Sequence, residues 1–220
     1  MDGQFMKILW GAGAIFAAMF LGAIYYMYSG QPTRESQATL QVRSDPLDAG
    51  TVIFSWTGSV DPPMAHQIGS EFEKWKNQTS RIIIELDSPG GSEIEGDRVI
   101  EQINRMKETH KVWTYVGPGR DCLSMCVPIY LQGRTRVASP SSNWLFHDAK
   151  SVDKITGTQV IMYSNERGQA NVMFFYKYID RSDINPKWRD SLKRNMELGD
   201  VWKTGQELKD ERSNIVTILE

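Results

Sequence analysis

The chain has 220 residues, 40% of them hydrophobic, which is enough for one substantial domain with an appendage. Its formal net charge is −2 and no basic cluster occurs, so we expect no nucleic acid among its partners. The histidines, His66, His110 and His147, lie far apart and no metal-ligand spacing occurs, so we expect neither a metal nor another cofactor.

The first predicted element is an apolar run without any charge, from Ile8 to Tyr28. As a helix it is long enough to cross a hydrocarbon core of about 30 Å, with aromatic residues at both interfaces. A cleaved secretory signal is the alternative, but no cleavage site stands out after Tyr28. We therefore predict a cytoplasmic tip and transmembrane anchor over residues 1–28. The protein would then be a single-pass membrane protein, with its domain in the periplasm or outside the cell.

Residues 29–50 are polar, contain proline and lack apolar periodicity, which predicts a flexible linker. Beyond it, strand and helix patterns alternate through one domain over residues 51–220. The run Ile82–Leu86 has the composition of a strand buried on both faces. The alternation predicts an α/β fold with a largely parallel sheet. The predicted strands are 51–58, 82–86, 112–116, 135–138 and 144–146, and the predicted helices are 64–75, 96–106, 127–131, 156–179 and 186–196.

Three motifs that could take part in catalysis follow one another in this domain. The strand 82–86 runs into Asp-Ser-Pro-Gly-Gly, where the glycines leave backbone amides unshielded. Ser124 lies at a predicted strand-to-helix junction, because Pro128 fits the first turn of a helix that begins near Ser124 or Met125. His147 follows a later strand. A helix-capping serine is the alternative for Ser124, but the ordered set favours a nucleophile and a base.

In this order, the Pro-Gly-Gly, Ser-Met and Phe-His motifs resemble the Clp protease proteolytic subunit and the related signal peptide peptidase A, both of the Clp/crotonase superfamily. The resemblance covers residues 51–216 and implies a superhelix of strand-strand-helix units. It implies His147 as the base and Asp200 as the third catalytic residue, while the residues alone leave Asp180 and Asp183 open. The amides of Gly91 and Met125 are the expected oxyanion hole.

The segment 156–179 ends in crowded aromatics, which predicts a helix buried on two sides. The resemblance offers another interpretation, a contact between subunits of a homo-oligomer. Cys122 and Cys126 bracket the serine and are close enough to form a disulfide that fixes its turn, with two buried thiols as the alternative. Cys126 and Arg212 stand where Clp subunits usually carry glycine. Thr204 and Glu207 have the spacing of a capping box.

These patterns predict a membrane-anchored serine hydrolase, a peptidase that cleaves peptide or protein substrates through an acyl-enzyme. A Ser-Lys dyad is less consistent with the sequence, because both His147 and Asp200 have matching positions. The alternative function is a catalytically silent scaffold or peptide-binding protein with the same fold. An acyl-CoA enzyme of crotonase type ranks last, because it has no use for a Ser-His pair.

Overall fold

The computed structural model describes residues 38–147, 151–152, 159–160, 175–180 and 183–220. The predicted anchor, residues 1–28, lies outside these residues, as does the first part of the predicted linker. Within the described ranges, no helix combines the length and apolar character that a bilayer crossing requires.

A six-stranded sheet forms the body of the domain, in the order β1-β2-β3-β4-β6-β11. The edge strand β1 is antiparallel to β2, and the other pairs in the sheet are parallel. The largely parallel sheet agrees with the alternation of strands and helices in the sequence. The strands are β1 (Thr39–Ser44), β2 (Thr51–Thr57), β3 (Arg81–Asp87), β4 (Lys111–Val116), β6 (Thr135–Ala138) and β11 (Ile218–Leu219).

Two long helices, α1 (Met64–Trp75) and α2 (Glu93–Lys107), carry the side chains that pack into the core beside this sheet. The bounds of α1 are those the sequence predicts. Each helix contributes a buried stripe, which includes Ile68 on α1 and Ile103 on α2. Shorter helices follow: α3 (Cys126–Tyr130), a π-helical turn (Phe175–Ile179), α4 (Pro186–Leu198) and α5 (Gly205–Asp210).

Burial in β3 alternates along the strand, so the prediction of a strand buried on both faces is wrong. Ile82 and Ile84 are fully buried, whereas Ile83 and Glu85 are half-buried on the opposite face. The Glu85 carboxylate accepts hydrogen bonds from Arg43 at 2.7 Å and 3.1 Å, which gives this face a polar component. A continuous apolar run therefore overstates burial when one face of a parallel sheet is partly polar.

A second, three-stranded sheet has the order β10-β7-β5, with β5 (Asp121–Leu123), β7 (Asn143–Phe146) and β10 (Val201–Thr204). The central strand β7 is parallel to β5 and antiparallel to β10. The α5 helix starts directly after β10 with the predicted capping box of Thr204 and Glu207. The predicted catalytic residues lie at the ends of the strands of this sheet.

Two segments differ from the predictions. Thr39–Ser44, inside the predicted linker 29–50, forms β1, because its half-buried Leu40 and Val42 pack against the core. Gln159–Val160, inside the predicted helix 156–179, is a strand, β9, that pairs with β8 (Ser151–Val152). The β-branched residues and Gly157 around this pair disfavour helix. Residues 156–158 and 161–174 of the predicted subunit contact lie outside the described residues.

Candidate active site

The Gly-Gly loop after β3 is held from two sides by backbone hydrogen bonds. On one side, Val60 N–H donates to the Gly90 carbonyl and Ser92 N–H donates to the Val60 carbonyl, both at 2.8 Å. On the other side, Ser88 N–H donates to the Asp121 carbonyl at 2.7 Å. These bonds fix the loop between the β2–α1 connection and β5.

Gly90 lies in van der Waals contact with the serine turn. Its φ is +90°, and a Cβ atom at this position would be 2.6 Å from Ser124 Cβ and 3.0 Å from the Met125 nitrogen. No side chain fits there without displacing the turn, so glycine is required for both conformation and space. The Pro-Gly-Gly and Ser-Met motifs are therefore in direct contact.

Gly91 presents its backbone groups away from Val60. It forms a parallel bridge with Val60, in which the bonds are made by the flanking Gly90 and Ser92. The N–H and C=O of the central residue of such a bridge point to the opposite side. Among the described residues, neither the Gly91 N–H nor the Met125 N–H donates a hydrogen bond to a protein acceptor. Both amides therefore remain available as donors to a ligand.

Ser124 forms a sharp turn between β5 and α3. Its φ is +53°, a left-handed conformation that costs a residue other than glycine about 1–2 kcal/mol. The turn is held because the Ser124 N–H donates to the Leu145 carbonyl and its own carbonyl accepts from the Val127 N–H, both at 3.0 Å. A strained serine between a strand and a helix is the backbone geometry of a nucleophile elbow.

Cys122 and Cys126 form a disulfide across this turn, with their Cα atoms 5.1 Å apart. Cys122 lies in β5 and Cys126 is the first residue of α3, and both are fully buried. Of the two arrangements that the sequence left open, the structure contains the bonded one. The bridge encloses Leu123, Ser124 and Met125.

The register of the three-stranded sheet places the predicted residues at one end. Ser124 follows Leu123, which pairs with Leu145 on β7. His147 follows Phe146, which pairs with Val201 on β10. Asp200 precedes Val201, so continuation of the antiparallel register sets Asp200 opposite His147. Three residues far apart in the sequence thus come to one end of one sheet.

The other candidate residues have different surroundings. Asp180 forms an ion pair with Arg189 at 3.1 Å, and Asp183 forms one with Arg136 at 2.8 Å. The ring of buried His110 is within 3.0 Å of the Lys76 carbonyl and 2.7 Å of the Thr109 hydroxyl, which is a structural role. His66 is exposed on α1.

Several residues that shape the site give no signal in the sequence. Asp87 accepts hydrogen bonds from the Arg120 guanidinium at 2.6 Å and from the Asp121 N–H at 3.1 Å, so it ties the end of β3 to the start of β5. The Met125 side chain packs so closely on Gly96 of α2 that a Cβ there would be 2.3 Å from it. Val60 is also part of this support, through its bridge to Gly91. Only their partners in space reveal these roles.

A charged cluster fixes the first turns of α2, the helix that follows the Gly-Gly loop. The Tyr178 hydroxyl donates to Asp97 at 2.7 Å and to Glu93 at 3.2 Å, and Lys177 pairs with both carboxylates. Burial and the neighbouring carboxylates raise the pKa of Tyr178, so the phenol stays protonated and keeps donating.

Comparison with known proteins identifies the fold of the chain. No protein-family model matches the chain, and no curated protein sequence matches it. A mutant of ClpP1 from Listeria monocytogenes is among the solved structures that match, with a TM-score of 0.56 and 17% identity. The alignment covers 79% of this chain and 92% of that one. The protein has a Clp-like fold.

Proposed function

We propose that this protein is a membrane-anchored serine peptidase in which Ser124, His147 and Asp200 form the catalytic triad. The observation that carries the proposal is the register of β5, β7 and β10, which brings these residues to one end of the three-stranded sheet. The strained turn at Ser124 and the amides of Gly91 and Met125 support the same chemistry.

In the proposed reaction, the Ser124 hydroxyl oxygen attacks the carbonyl carbon of a peptide bond while the His147 imidazole takes its proton. Asp200 holds the imidazole orientation and stabilises the imidazolium. The Gly91 and Met125 N–H groups donate to the oxyanion of the tetrahedral intermediate. His147 then gives its proton to the leaving amine, and water hydrolyses the acyl-enzyme by the same steps in reverse roles.

The substrate would be an extended peptide or protein segment. The N–H and C=O of Gly91 point away from Val60. These two groups are the donor and the acceptor with which an added strand could pair. Because the loop contains glycine at positions 90 and 91, a substrate backbone can approach it closely. We further propose that the apolar run 8–28 anchors the protein in a membrane, with the domain in the periplasm or outside the cell, and that copies associate through the 156–179 segment.

The nucleophile is tested by incubating the full-length protein in detergent with a fluorophosphonate probe and mapping the adduct by mass spectrometry. We expect one adduct, on Ser124, which Ser124→Ala and His147→Ala both abolish. Ser141→Ala, which alters an exposed serine, is the matched control and should label as the wild type does.

A protein that folds but gives no adduct, or an adduct that survives Ser124→Ala, would reject the proposed chemistry. Peptide binding that is unchanged by Ser124→Ala and His147→Ala, with no acyl-enzyme, would identify the silent scaffold instead. The anchor is tested separately, because deletion of residues 1–28 should release the protein from sedimented membranes.

A further inference from the structure

We propose that the Cys122–Cys126 disulfide is a positioning device for the nucleophile, so that acyl transfer reaches its full rate only when this pair is oxidised. The inference rests on the proposed function and adds a dependence on thiol redox state. It identifies two residues that would act through Ser124 and Met125 without touching the substrate.

The bridge joins two elements that are each held firmly elsewhere. Cys122 pairs with Trp144 in the three-stranded sheet and also forms a parallel bridge with Ser88, beside the Gly-Gly loop. Cys126 begins α3, whose Tyr130 carbonyl accepts a hydrogen bond from the Thr114 hydroxyl of β4 at 2.7 Å. The disulfide therefore links the small sheet to a helix that is fastened to the large one.

The enclosed turn needs such support. Ser124 adopts a φ of +53° that its own side chain disfavours, and α3 has only five residues, too few to hold a helix by itself. Gly90 and the serine turn are in van der Waals contact, so even a small shift of Ser124 changes the contact between them. The loop also contains Met125, whose N–H is one of the two proposed oxyanion donors.

Reduction would remove this support. A dithiol reductant attacks one cysteine sulfur, the Cys122–Cys126 bond breaks, and the reductant closes its own disulfide as two electrons and two protons pass to the cysteines. The two buried thiols are then no longer held at bonding distance. The turn can relax toward negative φ, which moves both the Ser124 hydroxyl and the Met125 N–H. A displacement of about 1 Å at a catalytic group costs about a hundredfold in rate.

The test measures fluorophosphonate labelling of the full-length protein before and after dithiothreitol, with thiol alkylation and mass spectrometry to confirm reduction. Plotting rate against probe concentration separates the covalent step from reversible probe binding. We expect reduction to slow the covalent step by about ten- to a hundredfold, with little change in probe binding. Reoxidation should restore the rate.

Variants make the result independent of how easily the buried bond is reduced. Cys122→Ala and Cys126→Ala should each show the slow covalent step, and neither should respond to dithiothreitol. Val127→Ala is the matched control, because it removes buried volume from the same helix and leaves the bridge intact. It should keep the full response to reduction. Circular dichroism at the assay temperature establishes that each protein is folded.

Two results would overturn the inference while leaving the peptidase proposal standing. One is equal labelling rates in the oxidised and reduced wild type. The other is a loss of labelling that only follows unfolding. If the oxidised protein does not label at all, the peptidase proposal fails. The positioning claim is then judged by amide hydrogen exchange over residues 124–127, which should become at least about tenfold faster on reduction, and unchanged exchange would reject it.

Discussion

In the six-stranded sheet, strands of up to seven residues are held by buried side chains such as Phe54, Ile82 and Ile84. In the three-stranded sheet, strands of three or four residues also carry buried side chains, such as Trp144, but a disulfide and backbone hydrogen bonds hold the strained turn at Ser124 beside them. Both sheets carry buried side chains, but the strained turn at Ser124 follows a strand of the second. A change in the centre of the first sheet should therefore mainly affect folding, and a change beside the serine turn should mainly affect chemistry, which Ile84→Ala and Gly90→Ala can test.

The largest expected effect is on folding, from Ile84→Ala in the centre of β3. The Ile84 side chain is fully buried, so its truncation leaves a cavity and should lower the free energy of unfolding by about 2–5 kcal/mol. Ile83→Ala, on the half-buried face of the same strand, is the control and should cost less. Urea denaturation measures both. Labelling of the folded fraction should be unchanged, and a large drop there would break the division between the sheets.

Gly90→Ala should act mainly on the site. The added methyl group would lie 2.6 Å from Ser124 Cβ, so the serine turn must move. We expect fluorophosphonate labelling to slow by about a hundredfold, which corresponds to about 2.7 kcal/mol in the activation free energy. Gly119→Ala is the control: its φ of +64° is also positive, but no atom lies within 4 Å of the added carbon. Equal losses in both variants would show that backbone conformation, not the contact with Ser124, is responsible.

A smaller effect is expected from Tyr130→Phe, where the two sheets meet. Tyr130 is fully buried against Trp144, with ring centroids 4.7 Å apart, and its hydroxyl has no hydrogen-bond partner among the described residues. Removal of this hydroxyl should raise the free energy of unfolding by about 1 kcal/mol. Thermal melts of both proteins measure the change. A clear loss of stability would show that the hydroxyl is satisfied by water in solution.

The smallest effect is a pH dependence at the Asp183–Arg136 ion pair. Partial burial acts to raise the pKa of Asp183, but the hydrogen bond and charge of Arg136 outweigh it, so the pKa is lowered. The stability from this pair is therefore present above the ordinary aspartate pKa of about 3.9 and lost as the pH falls through the lowered value. Asp183→Asn should cost less than about 1 kcal/mol at pH 7, because most of the Asp183 side chain is exposed to solvent. Arg136 also still donates a hydrogen bond to the Ile215 carbonyl at 2.8 Å.

The melting temperatures of the wild type and Asp183→Asn should converge as the pH falls through the lowered pKa of Asp183. Asp190→Asn, which alters an exposed partner of Arg189, is the control and should show a smaller difference at every pH. A difference for Asp183→Asn that grows in acid would mean that the pair is not the source.

The parts of the fold with strong local signals could be predicted from the sequence. The α1 helix, the start of α4 at Pro186 and the capping box at Thr204 follow from periodicity and capping residues. The strands β5 and β11 have only three and two residues and exist because a partner distant in the sequence pairs with each of them. The two-residue strands β8 and β9 pair with each other. No local pattern specifies such a strand. The edge strand β1 could not be predicted either, because its polar residues have the composition of a linker and its pairing with β2 is not visible in the sequence.

The candidate site divides in the same way. The glycine loop and the strand-to-helix junction at Ser124 could be predicted because glycine and proline mark their own backbone conformations. The contact of Gly90 with Ser124 and the bridge from Val60 to Gly91 could not, since they join segments that are distant in the sequence. The catalytic roles of Ser124, His147 and Asp200 remain predictions, which the labelling experiment addresses.

The close contact between Gly90 and Ser124 has an evolutionary consequence. Neither position can gain a bulky group while the other keeps its place, so the two motifs should be inherited as a unit. Sequence searches for relatives of this protein would gain discrimination by requiring both positions together. A relative that keeps the glycine but carries alanine at the position of Ser124 would preserve the packing and identify a lineage that has lost the nucleophile.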